Sequence, residues 1–263
     1  MPAEAWNNPD VLERYVGRWS RLVAREFLAW LGVRPGGRWL DVGCGAGALT
    51  ETVLARADPA SVEGVDTSEA FVTHAAAHVS DPRASFAVAD ALALDRPDAS
   101  FDAVVSSLVL NFLPDQARGV AEMRRVVRPG GVVAGYVWDY AGEMQLMRRF
   151  WDAAAELDPR AAELDEGRRM AACNAADLEA LFSAAGLAAV DTRAIDVPTV
   201  FTDFDDYWTP FEGGQGPAPA YCVSLPADRR AALRERLRET LPTGPDGSIS
   251  LIARAWAVRG TRS

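Results

Sequence analysis

Residues Trp39 to Leu49 read WLDVGCGAGAL, an apolar run that breaks into three alternating glycines. Glycines set this densely after a β-type run specify a sharp strand-to-helix turn, because glycine adopts positive φ at no steric cost. Bare backbone there also lets a ligand approach closely. The helix that follows points its first unpaired N–H groups at whatever anionic group sits in the turn. A chain built around such a stretch folds as an α/β sheet with a nucleotide-type site at its edge.

The rest of the first half repeats the same alternation. Residues 10 to 31 carry Leu12, Tyr15, Val16, Trp19, Leu22, Val23, Phe27, Trp30 and Leu31 at three- and four-residue steps, which predicts an amphipathic helix, with Arg14, Arg18, Arg21 and Arg25 on another side. Strands are predicted at 38–42, 61–65, 84–89, 101–106 and 132–138, with helices between them at 46–56, at a stretch capped by Asp66, Thr67 or Ser68 and ending near Val79, and at 116–127. Parallel strands joined by helices form a doubly wound sheet, whose ligands bind beyond the C-terminal strand ends near a switch in strand order. The second half holds a helix over 144–156, a charged segment over 158–169, and a helix capped by Asn174. Strands follow at 187–200 and 249–258. Between those strands lies an excursion rich in aromatics, glycine and proline, with an Arg-rich helix over 228–241. The organisation expected is an N-terminal lid helix (1–36), an α/β core (37–200 and 248–263) and a cap insertion (201–247).

Bulk properties narrow the partners. A length of 263 residues suits one large α/β domain with a modest cap, and the net charge of −10 opposes nucleic acid and anionic membrane surfaces. No run approaches 18 apolar residues, and the polar start lacks a signal core, so a cytoplasmic location without a membrane span is expected. Cys44, Cys173 and Cys222 have neither disulfide-framework nor zinc spacing. Every basic residue other than the two histidines is Arg, which removes Schiff-base and lysine-base chemistry. His74 and His78 stand four apart, but no third ligand follows at metal spacing, so no metal is expected.

The glycines alone leave two ligands open. Gly43-x-Gly45-x-x-Ala48 fits the relaxed dinucleotide fingerprint. Asp41, Gly43, Gly45 and Gly47 equally fit the acidic glycine loop that binds S-adenosylmethionine (SAM). The strand ends favour the second. Asp66, after strand 2, stands where an acid accepts both hydroxyls of a ribose. Asp90, after strand 3, stands where an acid accepts the adenine amine, with Ala91 at the ring edge. Asp41 suits the cationic end of SAM, whereas it would repel a pyrophosphate.

These motifs resemble the class I SAM-dependent methyltransferases of small-molecule type, and are similar to the ubiquinone/menaquinone-biosynthesis (methyltransferase type 11) group. The matching stretches are Leu40 to Gly47, Gly64 to Ser68, Ala89-Asp90-Ala91, Phe101 to Ser107, and Arg128-Pro129-Gly130-Gly131. The resemblance implies a Rossmann-like, doubly wound, seven-stranded sheet, mostly parallel with an antiparallel last strand. It implies SAM as cofactor and S-adenosylhomocysteine as product. It also implies a cofactor site drawn from Asp41, Gly43, Cys44, Gly45, Gly47, Asp66, Thr67, Asp90, Ala91, Ser107 and Leu108, joined by Tyr15 and Arg18 of the leader helix. Relatives often carry His where this chain has Asn111, so an imidazole base is absent there.

Methyl transfer is an in-line displacement in which alignment does most of the work. A base is needed only for a protonated acceptor, and Asp139 and Tyr15 are the candidates. The acceptor pocket is expected from Asn111, Phe112, Trp138, Tyr140, Tyr207, Trp208, Phe211 and Gln215, whose aromatic character suits an apolar or aromatic small molecule. The expected protein is a monomer or homodimer. Two alternatives stay open: a SAM-binding protein without methyl transfer, and an NAD(P)-binding oxidoreductase.

Overall fold

The computed structural model describes residues 8–170 and 172–263, with Pro9 and Asp10 as backbone alone. The leader runs as α1 (Pro9–Leu12), a π-helical turn (Glu13–Gly17) and α2 (Arg18–Leu31). The repeating half follows as β1 (Arg38–Val42), α3 (Ala48–Arg56), β2 (Ser61–Asp66), α4 (Glu69–His78), β3 (Ala84–Val88), β4 (Phe101–Ser107), α5 (Gln116–Val126) and β5 (Val127–Trp138). The second half comprises α6 (Gln145–Leu157), α7 (Glu166–Arg169), α8 (Ala175–Ala184), β6 (Ala188–Phe201), α9 (Phe204–Trp208), α10 (Pro217–Ser224), α11 (Ala227–Thr240) and β7 (Ile249–Thr261).

The seven strands lie in the order β3-β2-β1-β4-β5-β7-β6. The β1–β2, β2–β3, β1–β4 and β4–β5 pairs are parallel, and β7 runs antiparallel to β5. The order reverses at β1, so the C-terminal ends of β1 and β4 flank the switch point where such sheets hold ligands. The expected seven-stranded, mostly parallel sheet is present. β5 begins earlier than expected: Phe101 pairs with Val127 and Ala103 with Val132, so Arg128 to Gly131 form a bulge inside the strand rather than a turn before it. Gly131 has no room for a Cβ, which would lie 2.7 Å from the Asp102 carbonyl oxygen.

The chain forms two compact units. One comprises Met1–Trp19, Asp139–Met170 and Asp196–Arg254; the other comprises Ser20–Trp138, Ala171–Ile195 and Ala255–Ser263. The sequence grouping assigned only 201–247 to a cap, whereas 139–170 clusters with that segment in the first unit. The core of the second unit is aliphatic, with Leu40, Val42, Val65, Val104, Val133 and Val137 from the strands packed against Val120, Met123 and Phe182 from the helices. Their alternation and helical spacing explain why these segments form the elements they do. The first unit has an aromatic interior instead: Tyr15, Phe150, Trp151, Phe201, Tyr207 and Phe211 are all almost fully buried. Among the described residues, no helix is long and apolar enough to cross a membrane.

Candidate active site

β1 delivers Asp41 into the core of its unit, fully buried. The Thr50 hydroxyl of α3 donates to Asp41 Oδ2 at 2.8 Å, while Oδ1 has no hydrogen-bond partner among the described residues. Burial pushes the carboxyl up to about 7, against the Thr50 hydrogen bond and with the nearby Asp66 charge adding to the rise. A buried carboxylate with one unused oxygen is costly unless a donor meets it.

The loop after β1 is built by its glycines. The N–H groups of Gly43 and Cys44 both donate to the Val65 carbonyl, at 2.7 and 3.0 Å, which pins the turn to the end of β2. Gly43 has φ +75° and no space: a Cβ there would lie 2.4 Å from Val109 Cγ2. Gly45 is the opposite case. Its φ is +50°, and a Cβ would meet nothing within 4 Å. Its N–H donates to Asp66 Oδ2 at 3.0 Å, and Asp66 Oδ1 accepts the Ser68 N–H at 2.9 Å. Gly47, at φ +91°, is the N-cap residue of α3. The Cys44 thiol is buried and held protonated, first by burial and then by the Asp41 and Asp66 charges, so it is not a nucleophile.

The neighbouring strand ends complete this half. Thr67 is exposed after Asp66, and Ser68 caps α4 by accepting the Phe71 N–H at 3.4 Å. Asp90 is exposed two residues beyond β3 and accepts the Leu92 N–H at 2.8 Å, while Ala91 is buried. Ser106 donates to the Val42 carbonyl at 2.8 Å, tying the end of β4 to the end of β1. Leu108 follows Ser107 with φ +59°, a conformation that leucine rarely adopts. Its N–H donates to the Tyr136 carbonyl at 2.8 Å. Local strain of this kind gathers at ligand sites. Asn111 is buried on the 3-10 turn Leu110–Phe112, Phe112 is exposed, and Trp138 is buried with its indole N–H unpartnered among the described residues.

The remaining predicted residues belong to the other unit. Tyr15 is buried in the π-turn, and its hydroxyl has no partner among the described residues. Burial raises its pKa well above the usual tyrosine value. Arg18 Nη1 donates to Asp206 Oδ1 at 2.9 Å, and its guanidinium lies over Trp19 and Phe201, at 4.3 and 5.0 Å from the ring centroids. The Nε and Nη2 atoms of Arg18 are buried without hydrogen-bond partners among the described residues. Asp139 holds a turn: its two oxygens accept the N–H groups of Gly142 and Glu143 at 3.1 and 3.0 Å. Tyr140 is buried, the Tyr207 hydroxyl donates to the Leu146 carbonyl at 2.9 Å, and Trp208 Nε1 donates to Glu212 at 3.0 Å. Phe211 stacks on Phe150 at 4.4 Å. Gln215 is paired twice with the Asn8 backbone, each bond 2.9 Å.

Two arrangements escape the sequence reading. Leu108 carries no sign in its identity that it will adopt a left-handed backbone. Glu166 sits in a stretch whose charge suggests a solvated face, yet it is 1% exposed. The only local signal is Asp165, which caps α7 by accepting the Gly167 N–H at 2.8 Å and so marks a helix start there. The two histidines stack on each other with ring centroids 3.9 Å apart, and among the described residues no group of three His, Cys, Asp or Glu side chains is disposed to hold a metal.

Residues 40–135 match the family model described as a methyltransferase domain. The chain is 33% identical over 171 residues to 2-methyl-6-phytyl-1,4-hydroquinone methyltransferase of Synechocystis sp., covering 57% of this chain and 54% of that protein. It is 34% identical over 159 residues to trans-aconitate 2-methyltransferase of Methylobacterium radiotolerans, covering 60% and 59%. The chain thus spans little more than half the length of these curated relatives. Among solved structures, the YcgJ protein of Bacillus subtilis has the same fold, with a TM-score of 0.58 at 20% identity over 93% of this chain and 98% of that one.

Proposed function

We propose that the chain, whose residues 40–135 match a methyltransferase domain, is a class I SAM-dependent methyltransferase that transfers a methyl group from SAM to a small, apolar or aromatic acceptor. The observation that carries the proposal is the set of three acids, Asp41, Asp66 and Asp90, at or just beyond the C-terminal ends of strands that are neighbours in the sheet order β3-β2-β1. The residues present fit the cofactor. Among the described residues Asp41 Oδ1 lacks a partner, as expected of a carboxylate that receives an ammonium, and Gly45 leaves open space beside the loop.

In this reading Asp66 accepts the ribose hydroxyls, since a carboxylate already holding two N–H groups still has lone pairs to offer. Asp90 accepts the adenine amine with Ala91 at the ring edge, and the backbone of Gly43, Cys44, Gly45 and Gly47 gives close approach. Thr67, Ser107 and Leu108 line the same end of the sheet. The bound cofactor supplies an electrophilic methyl on a sulfonium. The chain's own contribution is orientation and exclusion of water, worth roughly 7–11 kcal/mol for well-aligned partners. Tyr15 is held neutral by burial, which disfavours it as a base at neutral pH, and Asp139 accepts two turn N–H groups while keeping lone pairs for an acceptor proton. We further propose a lid at 1–36, a cap at 201–247 and a cytoplasmic location.

The test is release of S-adenosylhomocysteine across a library of aromatic and aliphatic acceptors. Release that depends on one acceptor class supports transfer. SAM binding with no release for any acceptor favours a binding protein without transfer.

A further inference from the structure

Helices α6, α10 and α11 frame a cavity of about 290 Å³ whose lining residues all belong to one compact unit, the one without the glycine loop. Its apolar walls are Ala154 and Leu157 of α6, Leu225 of the link after α10, and Leu233 of α11. Leu157, the last residue of α6, is 40% exposed, so apolar surface stays uncovered there. Tyr221 joins the wall from α10. Its ring packs on Trp151 with centroids 5.4 Å apart, and its hydroxyl has no hydrogen-bond partner among the described residues. Burial, reinforced by the Asp158 charge, raises the phenol above its usual range, so it stays protonated and can donate.

Charge around this cavity does not cancel. Arg160 donates to Asp158 through Nε at 3.0 Å and Nη2 at 2.8 Å, so these two lining residues neutralise each other. Glu156, the next acid back along α6, accepts Arg236 Nε at 2.6 Å. Arg229 also lines the cavity, and among the described residues its guanidinium makes neither a hydrogen bond nor an ion pair. It precedes Leu233 by one helical turn, so α11 presents a cation and an apolar wall on the same face.

We propose that this cavity is a binding site for a small carboxylate with an apolar body, distinct from the SAM site. The carboxylate accepts from the Arg229 guanidinium and the Tyr221 hydroxyl, while the body displaces water from Leu157 and Leu233. At about 30 Å³ per water-sized group, the volume suits a ligand of about ten non-hydrogen atoms. An ammonium on the same body would be repelled by Arg229, and a neutral head group would leave that cation without a counter-charge.

The test is a titration of the isotopically labelled full chain with phenylacetate, phenethyl alcohol and phenethylamine, followed by the amide resonances of Leu157, Leu225 and Leu233. Phenylacetate is expected to shift them saturably and to bind about fivefold or more tightly than the alcohol, with the amine weakest, as a charge-assisted bond to a partly exposed arginine provides. Arg229→Gln, at an exposed position, should reduce phenylacetate to the affinity of the alcohol. Leu157→Glu should weaken phenylacetate at least as much by setting a like charge beside it. Absence of saturable shifts at these residues, shifts confined to the glycine loop, equal affinity for acid and alcohol, or an intact preference in R229Q overturns the proposal. Should R229Q fail to fold, the ranking of the three head groups on the wild-type chain decides.

Discussion

Asp66 Oδ2 accepts the Gly45 N–H at 3.0 Å, so the acid that ends β2 holds the open glycine of the loop that follows β1. The same carboxylate receives Ser68 N–H and thereby steadies the entry to α4. One side chain therefore shapes the loop before any ligand arrives. Its replacement by Ala should weaken SAM binding about 10- to 100-fold, the loss expected for hydrogen bonds to a charged group. Asp90→Ala, at an exposed position, should weaken SAM about tenfold by the same rule with an unchanged unfolding midpoint. Calorimetry and thermal unfolding read both effects; unchanged affinity in both variants means the nucleoside lies elsewhere.

Gly43 and Gly45 should respond differently to Ala. Both have positive φ, so each substitution carries roughly 1–2 kcal/mol of backbone strain. Only Gly43→Ala also drives a methyl into Val109, and its midpoint should fall further. Gly45→Ala fills space that the ligand needs, and its larger effect should appear in SAM affinity. Paired melting curves and titrations check this; a reversed pattern contradicts the assignment of the open space.

Asp41 makes stability depend on pH. Its folded value of about 7 lies above the ordinary aspartate range. Between pH ~4 and ~7 the folded state holds a proton that the unfolded state has lost, so stability falls as pH rises across that window. Glu166, also raised to about 7, contributes in the same direction. Asp41→Asn should flatten the dependence in part, and urea unfolding across the window measures it. An ammonium bound at Asp41 favours the ionised form, so SAM binding below neutral pH should release a proton, visible as a buffer-dependent heat.

The alternating half of the fold was legible because its strands and helices follow simple periods: β1 has the limits expected, and α5 ends one residue short of its expected limit. The chemistry at its strand ends was legible because Asp, Gly and Ser interrupt apolar runs. The interior of the other unit was not. Gln215 reads as part of a glycine-rich turn, yet its amide is spent on the Asn8 backbone, more than 200 residues away in sequence. Glu166 reads as surface because its neighbours are charged. Only the pairing of Arg148 with Asp165 and of Trp151 with Glu166 allows that stretch to turn inward.

Asp139→Ala should act on stability. It removes the acceptor for two turn N–H groups and should cost about 1–3 kcal/mol, which lowers the melting midpoint by several degrees. Methyl transfer measured well below that midpoint should persist. A collapse of kcat with an unchanged midpoint would instead make Asp139 the proton acceptor.

The central claim is that the Asp41–Asp66–Asp90 edge of the sheet binds SAM. Titration calorimetry of the full chain with SAM and, separately, with NAD tests it directly. The account predicts saturable SAM binding that Asp66→Ala weakens at least about tenfold, with NAD binding weaker than SAM. Tighter binding of NAD than of SAM would contradict it.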